Sequence, residues 1–165
     1  MLVYIPATLA MLHRLVADGH LQPISGTGFA VTPTLRESYA HGDEDELAEV
    51  ALRDAALASL RLLGGDDDDK LPRRRAVVVA EVDGAAGRPD LDDAVVRLAG
   101  PVGIDQVVCA HVDTAAAEPA VAAAIEAIDA ADLGDEDAEL IVGDAQDHDL
   151  AWYAPQELPF LIDLL

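Results

Sequence analysis

Two pairs of polar side chains follow apolar runs in the middle of this sequence. Glu81 and Asp83 close one run, and His111 and Asp113 close the next. Because alternate residues of a strand point to the same face, each pair would present its two side chains together. If the two strands are adjacent and parallel, all four side chains meet at the carboxyl edge of the sheet, where open α/β folds bind ligands.

Such a cluster suits two kinds of chemistry. Carboxylates with one imidazole can bind a divalent cation, since oxygen ligands suit Mg²⁺ or Mn²⁺ and His adds nitrogen for zinc or iron. Alternatively, His111 acts as an acid or base near its ordinary pKa of about 6.5, with Tyr4 or Thr8 contributing from the first strand. The structural interpretation, which we favour, is that Asp83 and Asp113 are turn or helix-cap residues.

Signals for other catalytic or cofactor sites are absent from the sequence. There is no Gly-rich phosphate loop with a Lys, no pair of Cys residues and no nucleophile elbow, so we predict no cofactor. The single Cys, Cys109, lies within an apolar run and is expected to be a small buried hydrophobe rather than a nucleophile.

The segments that should position these side chains form a tandem repeat in the sequence. Residues 75–98 match residues 105–128 at a constant offset, so that Val77 falls on Val107 and Asp83 on Asp113. Each copy reads as an apolar run, an acidic turn and an amphipathic segment, which predicts a strand followed by a crossover helix. Two such units in tandem predict neighbouring parallel strands.

The remaining pattern predicts one α/β domain over residues 1–165. We expect a mixed sheet of four or five strands with about five helices, and a ferredoxin-like arrangement is one alternative. The predicted strands are 2–5, 29–31, 76–82, 107–112 and 150–153; the predicted helices begin near Thr8, Thr32 and Asp43 and cover 90–99 and 119–131, with a helix or docking segment over 157–165.

The net charge of the chain restricts the classes of partner that we expect. The chain has 32 acidic and 10 basic residues and a net charge of -22, and residues 101–165 contain no Lys or Arg. Such a surface repels phosphate backbones and anionic lipids, so we expect neither nucleic acid nor membranes as partners. The basic run Arg73-Arg74-Arg75 is expected to be solvated at the start of a strand. Without a long apolar stretch or an N-terminal basic region, we predict a cytoplasmic protein.

The aromatic residues suggest a contact surface near the C-terminus. Trp152 and Tyr153 stand together, and Phe160 and Leu161 follow in an apolar tail. Apolar patches of this kind on an acidic surface mark a contact with a partner protein or a second copy, although core packing is the alternative. Our leading hypothesis is therefore a non-catalytic binding or interaction protein, and the competing hypothesis is an enzyme or metal-binding protein that uses the acidic and His cluster.

Three segments also carry a family resemblance. Residues 3–8 (VYIPAT), residues 29–37 (FAVTPTLRE) and Trp152-Tyr153 resemble a family of conserved hypothetical proteins from actinobacteria, classed as a domain of unknown function. The resemblance spans nearly the whole chain. It implies a cytoplasmic actinobacterial protein, and it implies no activity, cofactor or site residue.

Overall fold

The strands form two antiparallel sheets in the computed structural model, which describes residues 1–39, 41–65 and 70–165. The main sheet has seven strands in the order β5-β6-β3-β1-β4-β8-β9, and a small second sheet pairs β2 with β7. The strand bounds are β1 Leu2–Ala7, β2 His20–Leu21, β3 Thr27–Phe29, β4 Ala76–Glu81, β5 Ala86–Gly87, β6 Val95–Arg97, β7 Val102–Gly103, β8 Val107–Asp113 and β9 Leu150–Tyr153.

Helices pack on both faces of the main sheet. Within the described ranges they are α1 Leu9–Asp18, α2 Pro33–Ser38, α3 Glu44–Gly64, α4 Glu118–Asp132, α5 Glu136–Gln146 and α6 Leu158–Asp163. None of these described helices combines the length and the hydrophobicity needed to cross a bilayer.

Local signals place three helix starts correctly. The side chains of Thr8, Thr32 and Asp43 accept hydrogen bonds from the backbone N–H groups three residues further on, so each satisfies a donor that the first turn leaves unpaired. At the other end of α1, Gly19 has a φ of 79°, a left-handed conformation that favours glycine and ends the helix where the sequence predicts.

The tandem repeat is not a repeat in three dimensions. Strands β4 and β8 are neighbours, but they run antiparallel, with Ala76 opposite Val112 and Val78 opposite Ala110. Residues 90–99, predicted as a helix, instead form turns and the short strand β6, whereas the Ala-rich second copy does form α4. The two segments differ in helix propensity, since Ala favours a helix and the β-branched pair Val95-Val96 fits a strand.

The predicted mixed sheet is therefore wrong in its strand directions. Every neighbouring pair of strands described in the structure is antiparallel, and the sheets contain more strands than the four or five expected. The structure does not confirm a ferredoxin-like arrangement. It does confirm a mixed α/β composition, with α3 joining β3 to β4 and the α4–α5 hairpin joining β8 to β9.

The two faces of the main sheet have different cores. Val3, Ile5 and Val78 lie in one cluster with α1 and α6. Val77 and Phe29 lie in a second cluster with α2 and α3 on the other face. A third cluster joins α3 to the α4–α5 hairpin. Helix α3 is thus held on two sides and covers the sheet face that carries His111 of β8.

Candidate ligand cavity

The antiparallel pairing of β4 with β8 separates the four candidate site residues. Asp113 lies beside the start of β4, because its backbone N–H donates to the carbonyl oxygen of Arg75. Glu81 is six residues further along β4, which corresponds to about 20 Å of extended strand. Glu81 forms an ion pair with the N-terminal amine of Met1, and Asp83 is exposed beyond it. The cluster predicted from parallel strands therefore does not converge.

The structure also gives no metal centre among the residues it describes. Over residues 1–39, 41–65 and 70–165, no group of three or more His, Cys, Asp or Glu side chains is arranged to hold a metal ion. His111 and Asp113 do lie on the same face of β8, as predicted from their spacing. Glu81 and Asp83 lie too far away to complete a set of ligands with them.

Asp113 has a structural partner that the sequence analysis placed in solvent. Arg75 donates from Nε and Nη2 to the two carboxylate oxygens of Asp113, at 2.9 and 2.8 Å. The backbone N–H of Arg75 also donates to Asp113, at 2.7 Å, and Nη2 donates to the carbonyl oxygen of His148. Arg75 is 2% exposed and Asp113 is 0% exposed, so the prediction of a solvated Arg75 is wrong.

His111 belongs to a second polar group on the α3 face of the sheet. Its Nε2 lies 3.7 Å from Sγ of Cys109, and Trp152 is its cross-strand neighbour on β9. Burial lowers the pKa of His111, and the negative charge of Glu49 on α3 opposes that shift. His111 is therefore neutral near pH 7, with one ring nitrogen able to donate a hydrogen bond and the other able to accept one.

Two further groups on the α3 side of the sheet, Cys109 and Tyr4, are also held in their neutral forms. Burial raises the pKa of the Cys109 thiol, and contact with Trp152 opposes this shift only in part. Burial is the main cause that raises the pKa of Tyr4, and the negative charge of Glu49 adds to it. A thiol with a raised pKa is a poor nucleophile, so Cys109 acts here as a small packing residue, as its sequence context predicts.

A cavity of about 310 Å³ opens where α3 faces strands β8 and β9. We call it the α3–β9 cavity. Its apolar wall comes from α3 and β9, and its polar groups come from α3, β8, α5 and the segments that lead into β4 and β9. Its lining residues are Glu49, Leu52, Arg53, Ala56, Arg75, His111, Gln146, His148, Asp149, Leu150 and Trp152.

The direction of α3 arranges opposite charges along the cavity. Ser59 donates to the carbonyl oxygen of Ala7 and accepts from the backbone N–H of Ala76, so the C-terminal half of α3 lies over the segment that carries Arg75. Glu49, at the other end, influences the pKa of both Tyr4 and His111. Glu49 and Ala56 are seven residues apart on the helix, which corresponds to about 10 Å.

Comparison with known proteins gives the family of this chain and no activity. A family model described as "Family of unknown function (DUF6912)" matches residues 1–162. The chain belongs to this family. The match confirms the resemblance to a domain of unknown function that the N-terminal and C-terminal motifs suggested. No curated protein and no solved structure matches the chain.

The four aromatic and apolar residues proposed as a contact surface of this DUF6912 member do not share one face. Trp152 is 58% exposed and lines the α3–β9 cavity, whereas Tyr153 packs against the core on the opposite face of β9. In α6, Leu161 is 6% exposed and belongs to the core, and Phe160 is 71% exposed. The tail is therefore partly core and partly surface.

Sequence reasoning missed most of the cavity of this DUF6912 member. Glu49 and Arg53 are ordinary exposed positions of an amphipathic helix, and only the placement of α3 over β8 brings them to the cavity. Arg75 did carry a usable signal, because Asp113 ends an apolar strand and a buried carboxylate requires a cationic partner.

Proposed function

We propose that this protein binds a small molecule in the α3–β9 cavity. The observation that carries the proposal is the coincidence of space, an exposed aromatic face and partly buried polar groups at one place. The cavity volume of about 310 Å³ falls at the lower end of the range of about 300–1,000 Å³ that is usual for small-molecule sites.

The lining chemistry supports binding of a specific ligand. Leu52, Leu150 and Trp152 offer apolar contact, and neutral His111 offers one donor and one acceptor. A few polar groups on an otherwise apolar wall orient a ligand and give specificity. Of the four candidate residues predicted from the sequence, only His111 lines the cavity.

The test is a thermal-shift screen of metabolites, repeated with two variants. Trp152→Ala removes the aromatic wall of the cavity, and Phe160→Ala removes an exposed aromatic ring outside it. A ligand present at about 100 times its Kd should stabilise the protein by about 2.7 kcal/mol, or about 5–11 °C at this chain length. We expect hits that persist in Phe160→Ala and are lost in Trp152→Ala. Hits that survive equally in both variants would contradict the proposal.

A second candidate function is contact with a partner protein or a second copy of this chain. The exposure of Trp152, Phe160 and Leu164, at 58%, 71% and 86%, favours it, because large apolar side chains at the surface are typical of contact sites. Light scattering at several protein concentrations tests self-association. A strict monomer that co-purifies with no partner would count against this candidate.

The sequence-based expectations on cellular context remain predictions. A cytoplasmic location and an actinobacterial source are consistent with a chain of net charge -22 that belongs to this family. The same charge supports the prediction that nucleic acid and anionic membranes are not partners, since binding to both depends on Lys and Arg. Retention on heparin at physiological salt would contradict that prediction.

A further inference from the structure

The charges that line the α3–β9 cavity indicate which class of small molecule fits it. Two guanidinium groups, from Arg53 and Arg75, and two carboxylates, from Glu49 and Asp149, line the same space. The surrounding protein is strongly acidic, with a net charge of -22. Charged groups of both signs therefore line one cavity on an acidic surface, and the charge of Arg75 is paired with Asp113. Glu49 and Arg75 lie toward opposite ends of the cavity.

Arg75 offers a preorganised donor at the buried end. Its Nε and Nη2 are held by Asp113 and by the carbonyl oxygen of His148. Its remaining nitrogen, Nη1, makes no hydrogen bond to any of the residues that the structure describes, although Arg75 is 2% exposed and lines the cavity. A guanidinium fixed in this way loses little side-chain entropy when it binds an acceptor, and Nη1 can donate a charge-assisted hydrogen bond to one oxygen of a carboxylate.

Arg53 can add a second positive charge to the same ligand group. It is exposed on α3, one turn before Ala56, and it forms no ion pair with any described residue. Glu49 lies one further turn toward the N-terminus of α3, close enough to His111 and Tyr4 to influence the pKa of each. A cationic ligand group near Glu49 would therefore meet a carboxylate and the acceptor nitrogen of a neutral imidazole.

From this arrangement, and resting on the proposed function of the cavity, we propose that the ligand is a zwitterion of amino-acid size. Its carboxylate binds Arg75 and Arg53, its ammonium group binds Glu49, and its apolar side chain contacts Trp152 and Leu52. A purely anionic ligand would be repelled by the acidic surface and by Glu49. A purely cationic ligand would offer no acceptor to Nη1 of Arg75 and would forgo that charged hydrogen bond.

The experiment compares three probes that share the phenylalanine side chain and carry different charges. L-Phenylalanine carries both charges, L-phenylalaninamide keeps only the ammonium group, and N-acetyl-L-phenylalanine keeps only the carboxylate. Trp152 is the single Trp of the chain, so its fluorescence reports directly on the cavity. We expect L-phenylalanine to bind about tenfold or more tightly than either analogue, because each analogue loses one charged hydrogen bond.

Two variants with matched controls assign each end of the zwitterion. Glu49→Gln and Arg53→Gln should each weaken the binding of L-phenylalanine by about tenfold. Glu46→Gln, on the same helix outside the cavity, and Arg14→Gln, on α1 across the sheet, should leave it unchanged. Arg75 is excluded from this set because we expect its removal to destabilise the fold, since Asp113 would lose its buried partner.

The outcomes separate this inference from the proposed function. Equal or tighter binding of either analogue, or unchanged binding in both cavity variants, would overturn the zwitterion while leaving a ligand-binding cavity. The zwitterion would also be overturned, and the ligand-binding cavity kept, if none of the three probes binds while the thermal-shift screen gives Trp152-dependent hits of another charge class. If no compound of any class changes the Trp152 fluorescence or the melting temperature, both proposals fail.

Discussion

The buried pair of Arg75 and Asp113 gives the largest stability effect that we expect from a single substitution. Arg75→Met keeps an unbranched side chain of similar length but removes the guanidinium. Asp113, 0% exposed, would keep only the hydrogen bond from the backbone N–H of residue 75. Leaving one charge of a buried pair without its partner costs about 3–5 kcal/mol.

For a chain of this length, each kcal/mol shifts the melting temperature by about 2–4 °C, so Arg75→Met should lower it by about 6–20 °C. Urea unfolding followed by circular dichroism gives the free energy directly. The matched control is Arg88→Met, because Arg88 forms an equally short ion pair with Asp90, but at exposures of 41% and 59%. An exposed pair contributes about 0–1 kcal/mol, so the control should change little.

A double variant tests the physical reason. Arg75→Met combined with Asp113→Leu removes both charges, and replacing a buried ion pair with apolar residues is often close to neutral. The double variant should therefore recover most of the stability that Arg75→Met loses. If Arg75→Met costs no more than Arg88→Met, or if the double variant is less stable than Arg75→Met alone, the attribution of the loss to an unpaired buried charge is refuted.

Three further predictions concern the face of the sheet under α3. Burial, reinforced by the charge of Asp92, raises the pKa of Asp54 to about 6, so ionisation of Asp54 opposes folding. Asp54→Asn should therefore increase the free energy of unfolding in urea by about 1 kcal/mol at pH 8, after a discount for the partial exposure of Asp54. Below pH 4 the substitution should not change it. The gain should appear as the pH rises from about 4 to about 6, and a gain that is constant with pH would contradict it. Ser59→Ala removes the hydroxyl that links α3 to Ala7 and Ala76, so the free energy of unfolding in urea should fall by about 1–3 kcal/mol. The control Ser38→Ala, at an exposed position, should change it little. Cys109, whose pKa is raised by burial, should react with iodoacetamide much more slowly in the folded protein than in urea, and equal rates would contradict this.

The parts of the fold that the sequence predicted well are those determined by neighbouring residues. The starts of α1, α2 and α3 follow from Thr8, Thr32 and Asp43, because a side-chain oxygen there accepts from the backbone three residues on. Residues 76–81 and 107–113 are strands, as their apolar runs predict. These features require no knowledge of how distant segments pack.

Strand direction was not predictable in the same way. An apolar run buried on both faces looks the same in a parallel or an antiparallel sheet, and the match between residues 75–98 and 105–128 favoured two copies of one unit. The direction depends on the connection, and residues 82–106 hold short strands and turns rather than a crossover helix. Without a helix to carry the chain back across the sheet, β8 returns beside β4 in the opposite direction.

The position of the candidate site follows from that one reversal. Parallel strands would place Asp113 beside Asp83, and both carboxylates would then need a cation from outside the chain. In the antiparallel register Ala76 faces Val112, so residue 75 falls opposite residue 113 and Arg75 becomes the partner of Asp113. The same register places His111 opposite Val77, and His111 lines the α3–β9 cavity together with Arg75. A buried carboxylate at the end of an apolar strand thus distinguishes the two strand directions, because only the antiparallel pairing supplies its counter-charge from within the sequence.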